Sequence, residues 1–325
     1  MKLFQNPNFD FIRWRWHSIA LSSLIILAGV FVMVTRGVPL GVDFSGGTIV
    51  VLDFEKPTTD QQVRAAVEPL PGEESVQSTG PAAEYQVQVR LPLREGVEQG
   101  AALSEGAQSV LAAVEKAGLG PFVVRSTDSV GPAVGEDLKQ KGIWATVVSL
   151  LAIGLYIAFR FRVSFAVGSM IATLHDIFVT FAFLQFFQYE LSLNIIAAML
   201  TMVGYSCNDM IVIFDRVREN MRTSRRDALE KVINHSVNQT LARTIITSGT
   251  IFLSVLALYL FGGEVLKGFA FTMLVGTVAT TYSGWFIAPS IAIMLSKHQS
   301  AATAPQAGAQ PTAPVKKSGK RARAS

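Results

Sequence analysis

Charge is what this sequence has least of. Only 16% of its 325 residues are Asp, Glu, Lys or Arg, whereas a soluble chain carries about a quarter. Cysteine is scarcer still. The single thiol, Cys207, excludes an intramolecular disulfide, so any exported part must hold together by packing alone. The four histidines are scattered without metal-ligand spacing, which argues against zinc. The glycines of residues 41–47 lack the lysine and following helix of a phosphate-binding loop. With no nucleophile–base pair either, an enzyme is the least expected class, and neither cofactor nor metal is predicted.

Apolar residues are what the chain has in excess. Half of it is hydrophobic, the mean hydropathy is +0.38, and the excess is gathered into long runs. The first covers residues 18–34, behind Trp14 and Trp16 at headgroup depth. It is long for a signal peptide, and Thr35-Arg36-Gly37-Val38 is no cleavage site, so an uncleaved anchor is expected. Five more runs follow at 142–159, 165–187, 191–214, 240–260 and 269–295. At about 1.5 Å per residue each can cross a hydrocarbon core of about 30 Å. The pI near 9.2 does not call for nucleic acid, because the basic residues flank these runs. Arg13, Arg15, Arg160, Arg162 and six more basic residues between 216 and 231 gather on one side, against Lys267 in the short turns of the other. The positive-inside bias then puts both termini in the cytoplasm and the segment 35–141 outside.

That segment is expected to be α+β. Strands are predicted at 48–54, 76–79, 85–91 and 122–129, with helices starting near Thr59 (a Thr59/Gln62 capping box) and carrying Leu103, Ala107, Val110, Leu111 and Val114 on one face. The order β-α-β-β-α-β is that of a ferredoxin-like unit. Gly46 or Gly47 is expected at positive φ in the bend that leads from the membrane into the first strand. Between the fourth and fifth spans, residues 215–239 predict an amphipathic cytoplasmic helix. Its face of Leu229, Val232, Ile233 and Val237 would lie on lipid or on a partner protein. The chain thus divides into a cytoplasmic start (1–17), a first span (18–34), the exported domain (35–141), a five-helix bundle (142–298) and a disordered basic tail (299–325).

Ionisable residues inside the spans carry the functional information. A charge at the bilayer centre costs from about 2.5 to over 10 kcal/mol, so it needs a partner or a task. Asp209 sits beside Asn208 in the fourth span and Arg243 near the start of the fifth, on the cytoplasmic half of neighbouring helices. An ion pair that merely fixes packing, and an acid that binds and releases protons, both fit these residues. His175 and Asp176 lie mid-way along the third span and need not share a face. Gly249, Gly268 and Gly276 are expected to allow close helix contact.

Four strings give the chain a resemblance: GVDFSGGT (41–48), SVGPAVGEDL (129–138), CNDMIVIFDRVRENMR (207–222) and ARTIITSGT (242–250). With the layout of one span, an exported domain and five more spans, they resemble the SecF family of the resistance–nodulation–division (RND) superfamily, from the first span to about residue 297. The resemblance implies a six-helix, RND-type half-bundle in the bacterial inner membrane, with SecD as its other half, the SecYEG channel beside it and YajC as an accessory. It implies a preprotein substrate and a proton or sodium gradient as the energy source. Asp209 and Arg243 would be the ion-coupling residues, with Asn208, Asp176 and His175 as supporting ones. Asp43, Gly46 and Gly47 belong to the family's glycine-rich signature. Cys207 departs from the Val or Ser expected there. Half of an RND-type small-molecule exporter is the alternative, though about 100 exported residues leave little room for a substrate pocket. A non-transporting scaffold is a further one.

Overall fold

The computed structural model describes residues 7–70, 75–79, 85–91, 99–224 and 227–303. The chain rises through α1 (Arg15–Arg36), makes a single helical turn, α2 (Val42–Ser45), and enters β1 (Gly47–Phe54). The domain between the first two long helices continues through α3 (Asp60–Val67), β2 (Ser75–Thr79), β3 (Tyr85–Leu91), α4 (Gln99–Ala117) and β4 (Phe122–Val130). Its four strands form one antiparallel sheet in the order β2-β3-β1-β4, which is the ferredoxin-like arrangement. Alternation explains the core. Val50, Leu52 and Phe54 of β1 and Val87 and Val89 of β3 point to one face, where Val63, Val67, Val110 and Val114 of the two helices cover them. The start of α3 is held as its sequence predicts, with the Thr59 N–H donating to Gln62 Oε1 at 3.0 Å.

The chain then returns through α5 (Pro132–Arg160), α6 (Val163–Phe186), α7 (Leu193–Thr223), α8 (Leu229–Phe261) and α9 (Glu264–Thr303). Among the described residues, six helices (α1 and α5 to α9) are long and apolar enough to cross a membrane. Pro132 sits in the first turn of α5, where its missing N–H costs nothing, so residues 132–141 are the first turns of the second long apolar helix rather than part of the sheet domain. The helices are not equivalent. Half or so of the apolar window is buried in α6 (50%), α7 (44%) and α9 (56%), against 17%, 17% and 11% in α1, α5 and α8. The first three form the inner bundle. The others present most of their surface outward.

Two expectations need correction. Residues 215–239 are not a separate surface helix. They are extensions of α7 and α8, joined by a short turn in which residues 225 and 226 lie outside the described residues. The apolar face of α8 lies on neither lipid nor partner. Val232, Ile233 and Val237 are buried, and Ile233 and Val237 share a core cluster with Phe11, Ile12, Phe214 and Val217. The extended N-terminal segment is strapped to the same helix, because the Phe9 and Phe11 N–H groups donate to Asn238 Oδ1 (2.8 Å) and Asn234 Oδ1 (3.0 Å). Covering the apolar stripe with the chain's own N-terminus leaves no exposed face to dock.

The second concerns glycine. Gly268 and Gly276 do admit α7, at Ile195 and Met202, but Gly249 has open space beside it. Further close approaches occur at Gly29 against Ala182 and at Gly154 against Met170. The tail from 304 onward lies outside the described residues, and α9 covers 299–303.

Candidate functional site

The inner helices enclose a layer of polar side chains. Asp176, on α6, is fully buried and accepts hydrogen bonds from Ser206 Oγ of α7 (2.7 Å) and Ser283 Oγ of α9 (2.9 Å) on one carboxylate oxygen. His175 Nδ1 lies 3.1 Å from the other. The two adjacent residues do meet, and the His175 ring lies nearly parallel to that of Tyr282, with centroids 6.3 Å apart. Three partners make Asp176 the pin that joins α6, α7 and α9.

Asp209 occupies the next turn of α7. It lies three residues from Ser206, so both project from the same face, about 4.5 Å apart along the axis. It is also buried, at 5% exposure, yet its surroundings are different. Ser248 of α8 lies beside it, while its Oδ2 is buried with no hydrogen-bond partner among the described residues. Ser248 is the hub of this second cluster, 2.6 Å from the Tyr205 hydroxyl and 2.9 Å from Thr281 Oγ1, which donates to it. Both clusters therefore bridge α7 to α9, one through α6 and one through α8.

Arg243 does not close on Asp209. No ion pair within 4.0 Å joins them among the described residues, and the guanidinium belongs to an exposed residue on α8. It is near enough to act on Asp209 through space. The simple packing pair allowed by the sequence is thus absent. Asn208 is exposed and points away from the buried layer. Among the described residues, no three His, Cys, Asp or Glu side chains converge as metal ligands.

The glycine-rich signature forms a joint. Gly46 and Gly47 both adopt positive φ, 74° and 135°, a region that glycine enters without steric cost. This turn lets Asp43 Oδ2 accept the Leu193 N–H at the start of α7 at 2.8 Å. The Gly41 N–H donates to the Leu191 carbonyl, and the Leu191 N–H to the Pro39 carbonyl, each at 2.7 Å. Arg90 of β3 pairs with Glu190 in the same α6–α7 turn. The sheet domain is therefore tied by backbone and side chain to the turn that joins α6 and α7, the helices that carry both acids.

Sequence reasoning missed Ser206, Ser248, Ser283, Tyr205 and Thr281. Ser206 and Ser248 had a usable signal, being one turn from Asp209 and inside the ARTIITSGT string. Ser283 had none, because only folding brings α9 to Asp176.

This arrangement has known counterparts. Residues 110–298 match the family model for the protein export membrane protein SecD/SecF C-terminal region, and residues 31–58 match the SecD/SecF GG motif. The protein translocase subunit SecF of Escherichia coli O157:H7 is 40% identical over 288 residues, covering 88% of each chain. This chain belongs to the SecF family. The SecF of Helicobacter pylori strain J99 is 34% identical, over 91% of this chain and 90% of its own. Among solved structures, SecDF from Thermus thermophilus, described as a translocon-associated membrane protein, superposes with a TM-score of 0.79 at 31% identity over 91% of this chain. SecDF in its super-membrane-facing form gives 0.68 at 32% identity over 93%. The chain spans about 40% of the length of those SecDF structures. As a SecF-family member with six apolar helices, it is a multi-pass membrane protein of protein transport.

Proposed function

We propose that this chain is the SecF half of a SecDF unit, which works beside the SecYEG channel and draws on an ion gradient to complete preprotein export. The observation that carries this reading is the state of Asp209. Its Oδ2 is buried without a partner, and the nearest opposite charge, Arg243, stands exposed on the least covered helix. An acid retained only for packing would be neutralised within its own bundle, as buried charges ordinarily are. Here one site of the acid and one cation are left for something outside this chain, and SecD is the partner that the family supplies. YajC would attach as an accessory.

The mechanism follows from the connections. Proton gain at Asp209 removes its attraction to Arg243 and changes the bonds that Ser248 makes among α7, α8 and α9. The charge moved is worth about 2.3 kcal/mol per 100 mV of membrane potential. A repacking of α6 and α7 reaches the sheet domain directly through Asp43, Leu191 and the Arg90–Glu190 pair. With both termini in the cytoplasm, that domain faces outward, where the emerging chain is held. His175 and Asp176 anchor the bundle that moves.

The test is export into inverted vesicles that carry the chain with SecD and SecYEG. D209N should keep ATP-driven early translocation and lose the stimulation given by the gradient. Undiminished gradient stimulation in D209N would overturn coupling through this residue. R243Q should behave like D209N, whereas N208A should export normally.

A further inference from the structure

At the end of the bundle where the basic residues gather, four guanidinium groups meet around one cleft of about 510 Å³. Arg160 ends α5, Arg162 is the N-cap of α6, and Arg218 and Arg222 project one helical turn apart from α7. The floor is apolar: Phe161 and Phe165 are buried, and Phe165 stacks on Phe214 at 5.0 Å. Of the four, only Arg160 has a carboxylate partner among the described residues, Asp215 at 3.2 Å. The acid nearest to Arg218 in sequence, Glu219, is taken by Arg216 at 2.5 Å. The positive end of the α6 dipole adds to the same field. Topology alone needs arginines at this side of the membrane. It does not need four of them, from three helices, to converge with most left unpaired.

A second cleft lies further along α5 and α6, on the apolar part of the same helices. One turn along α5 from Phe161, Ile157 enters an apolar slot of about 190 Å³ between α5 and α6, lined also by Gly154, Met170 and Leu174. The outward face of α5 beside it, Leu151, Leu155 and Phe159, is 60%, 74% and 93% exposed. A cationic cup at headgroup depth above an apolar slot at acyl-chain depth has the form of an amphiphile.

We infer that this groove between α5, α6 and α7 binds an anionic phospholipid, with the phosphate held by Arg162, Arg218 and Arg222 and one acyl chain laid along α5 and α6. Guanidinium forks suit phosphate oxygens because they donate in pairs from a plane, and basic pockets between spans on this side of a membrane are suited to acidic headgroups. The cationic cup is built from residues more than two helical turns along α7 from Asp209, although the apolar slot reaches Thr173 and Cys207, and the site does not depend on the coupling proposal.

The experiment uses the full chain in detergent and follows thermal unfolding and lipid retention by native mass spectrometry. Phosphatidylglycerol should raise the midpoint and stay bound, and phosphatidylcholine should do neither. R162Q, R218Q and R222Q should each weaken retention roughly tenfold, and the triple variant should lose it, while the midpoint without lipid is unchanged. K231Q, a charge removed from the same side outside the cleft, should respond like the parent. The single variants carry the comparison if the triple variant is unstable. Equal response to phosphatidylcholine, or full response in the arginine variants, overturns the site. Inorganic phosphate or glycerol 3-phosphate reproducing the whole effect would mean a free-anion site and would overturn the lipid.

Discussion

Asp176 and Asp209 are the same residue type at similar depth, and their surroundings give them different work. Asp176 has Ser206, Ser283 and His175 on its two oxygens, and of these Ser283 can turn to the Thr280 carbonyl at 3.1 Å instead. Removing Asp176 takes the acceptor from Ser206 and the partner from His175 Nδ1. D176A should lower thermal stability by about 2–3 kcal/mol, and S283A by under about 1 kcal/mol, since hydrogen bonds between membrane helices are individually small. Unfolding in detergent checks both, and equal losses would contradict the pin. Asp209 lacks such support on one oxygen, so D209N should cost little stability while stopping gradient use. Stability and function thus separate across two carboxylates. The sequence marked both acids. It could not tell them apart, because the difference lies in hydroxyls delivered by other helices.

At the level of elements, the ends of the spans carry more information than their middles. The α6 terminus closes with the Tyr189 N–H on the Leu184 carbonyl (3.0 Å) and the Gln188 N–H on the Gln185 carbonyl (3.2 Å), while Gln188 takes φ 54°. That is a Schellman cap in which glutamine occupies the position glycine usually holds. Q188G should therefore raise stability by up to about 1 kcal/mol, because the strain at positive φ disappears. A loss of stability would show that the Gln188 side chain, which donates to the Gln185 carbonyl at 2.6 Å, outweighs the strain. The α7 start is capped twice, by Ser192 Oγ on the Ile195 N–H and by Asp43 from the signature loop on the Leu193 N–H. D43A should cost about 1 kcal/mol and speed hydrogen exchange at Leu193 and in the first turn of β1. The amphipathic reading of residues 229–237 found the right periodicity and the wrong cover. Periodicity reveals that a face must be buried, never against what.

For the whole molecule, the consequential feature is that a small sheet domain hangs from the turn between the helices that hold both acids. Arg90 and Glu190 tie β3 to the α6–α7 turn, and Gly135 of α5 lies where a Cβ would come within 3.0 Å of the Phe44 carbonyl. G135V should push α2 off α5 and loosen the joint. Gradient-driven export should then fall with Asp209 intact, and cysteine crosslinking between α2 and α5 would report the displacement. An unchanged crosslink with normal export would remove this joint from the path between membrane and domain.

The six spans, their expected orientation and the ferredoxin-like order of the domain were determined by the sequence alone. Apolar length and strand alternation are local properties, and each must be satisfied wherever the rest of the chain goes. Tertiary structure alone decided that Asp209 and Arg243 stay apart, that Ser283 reaches Asp176, and that the N-terminal segment covers α8. Each depends on which helices become neighbours and how they are rotated. In the membrane that choice rests on small-residue contacts and buried hydrogen bonds spread over distant parts of the chain.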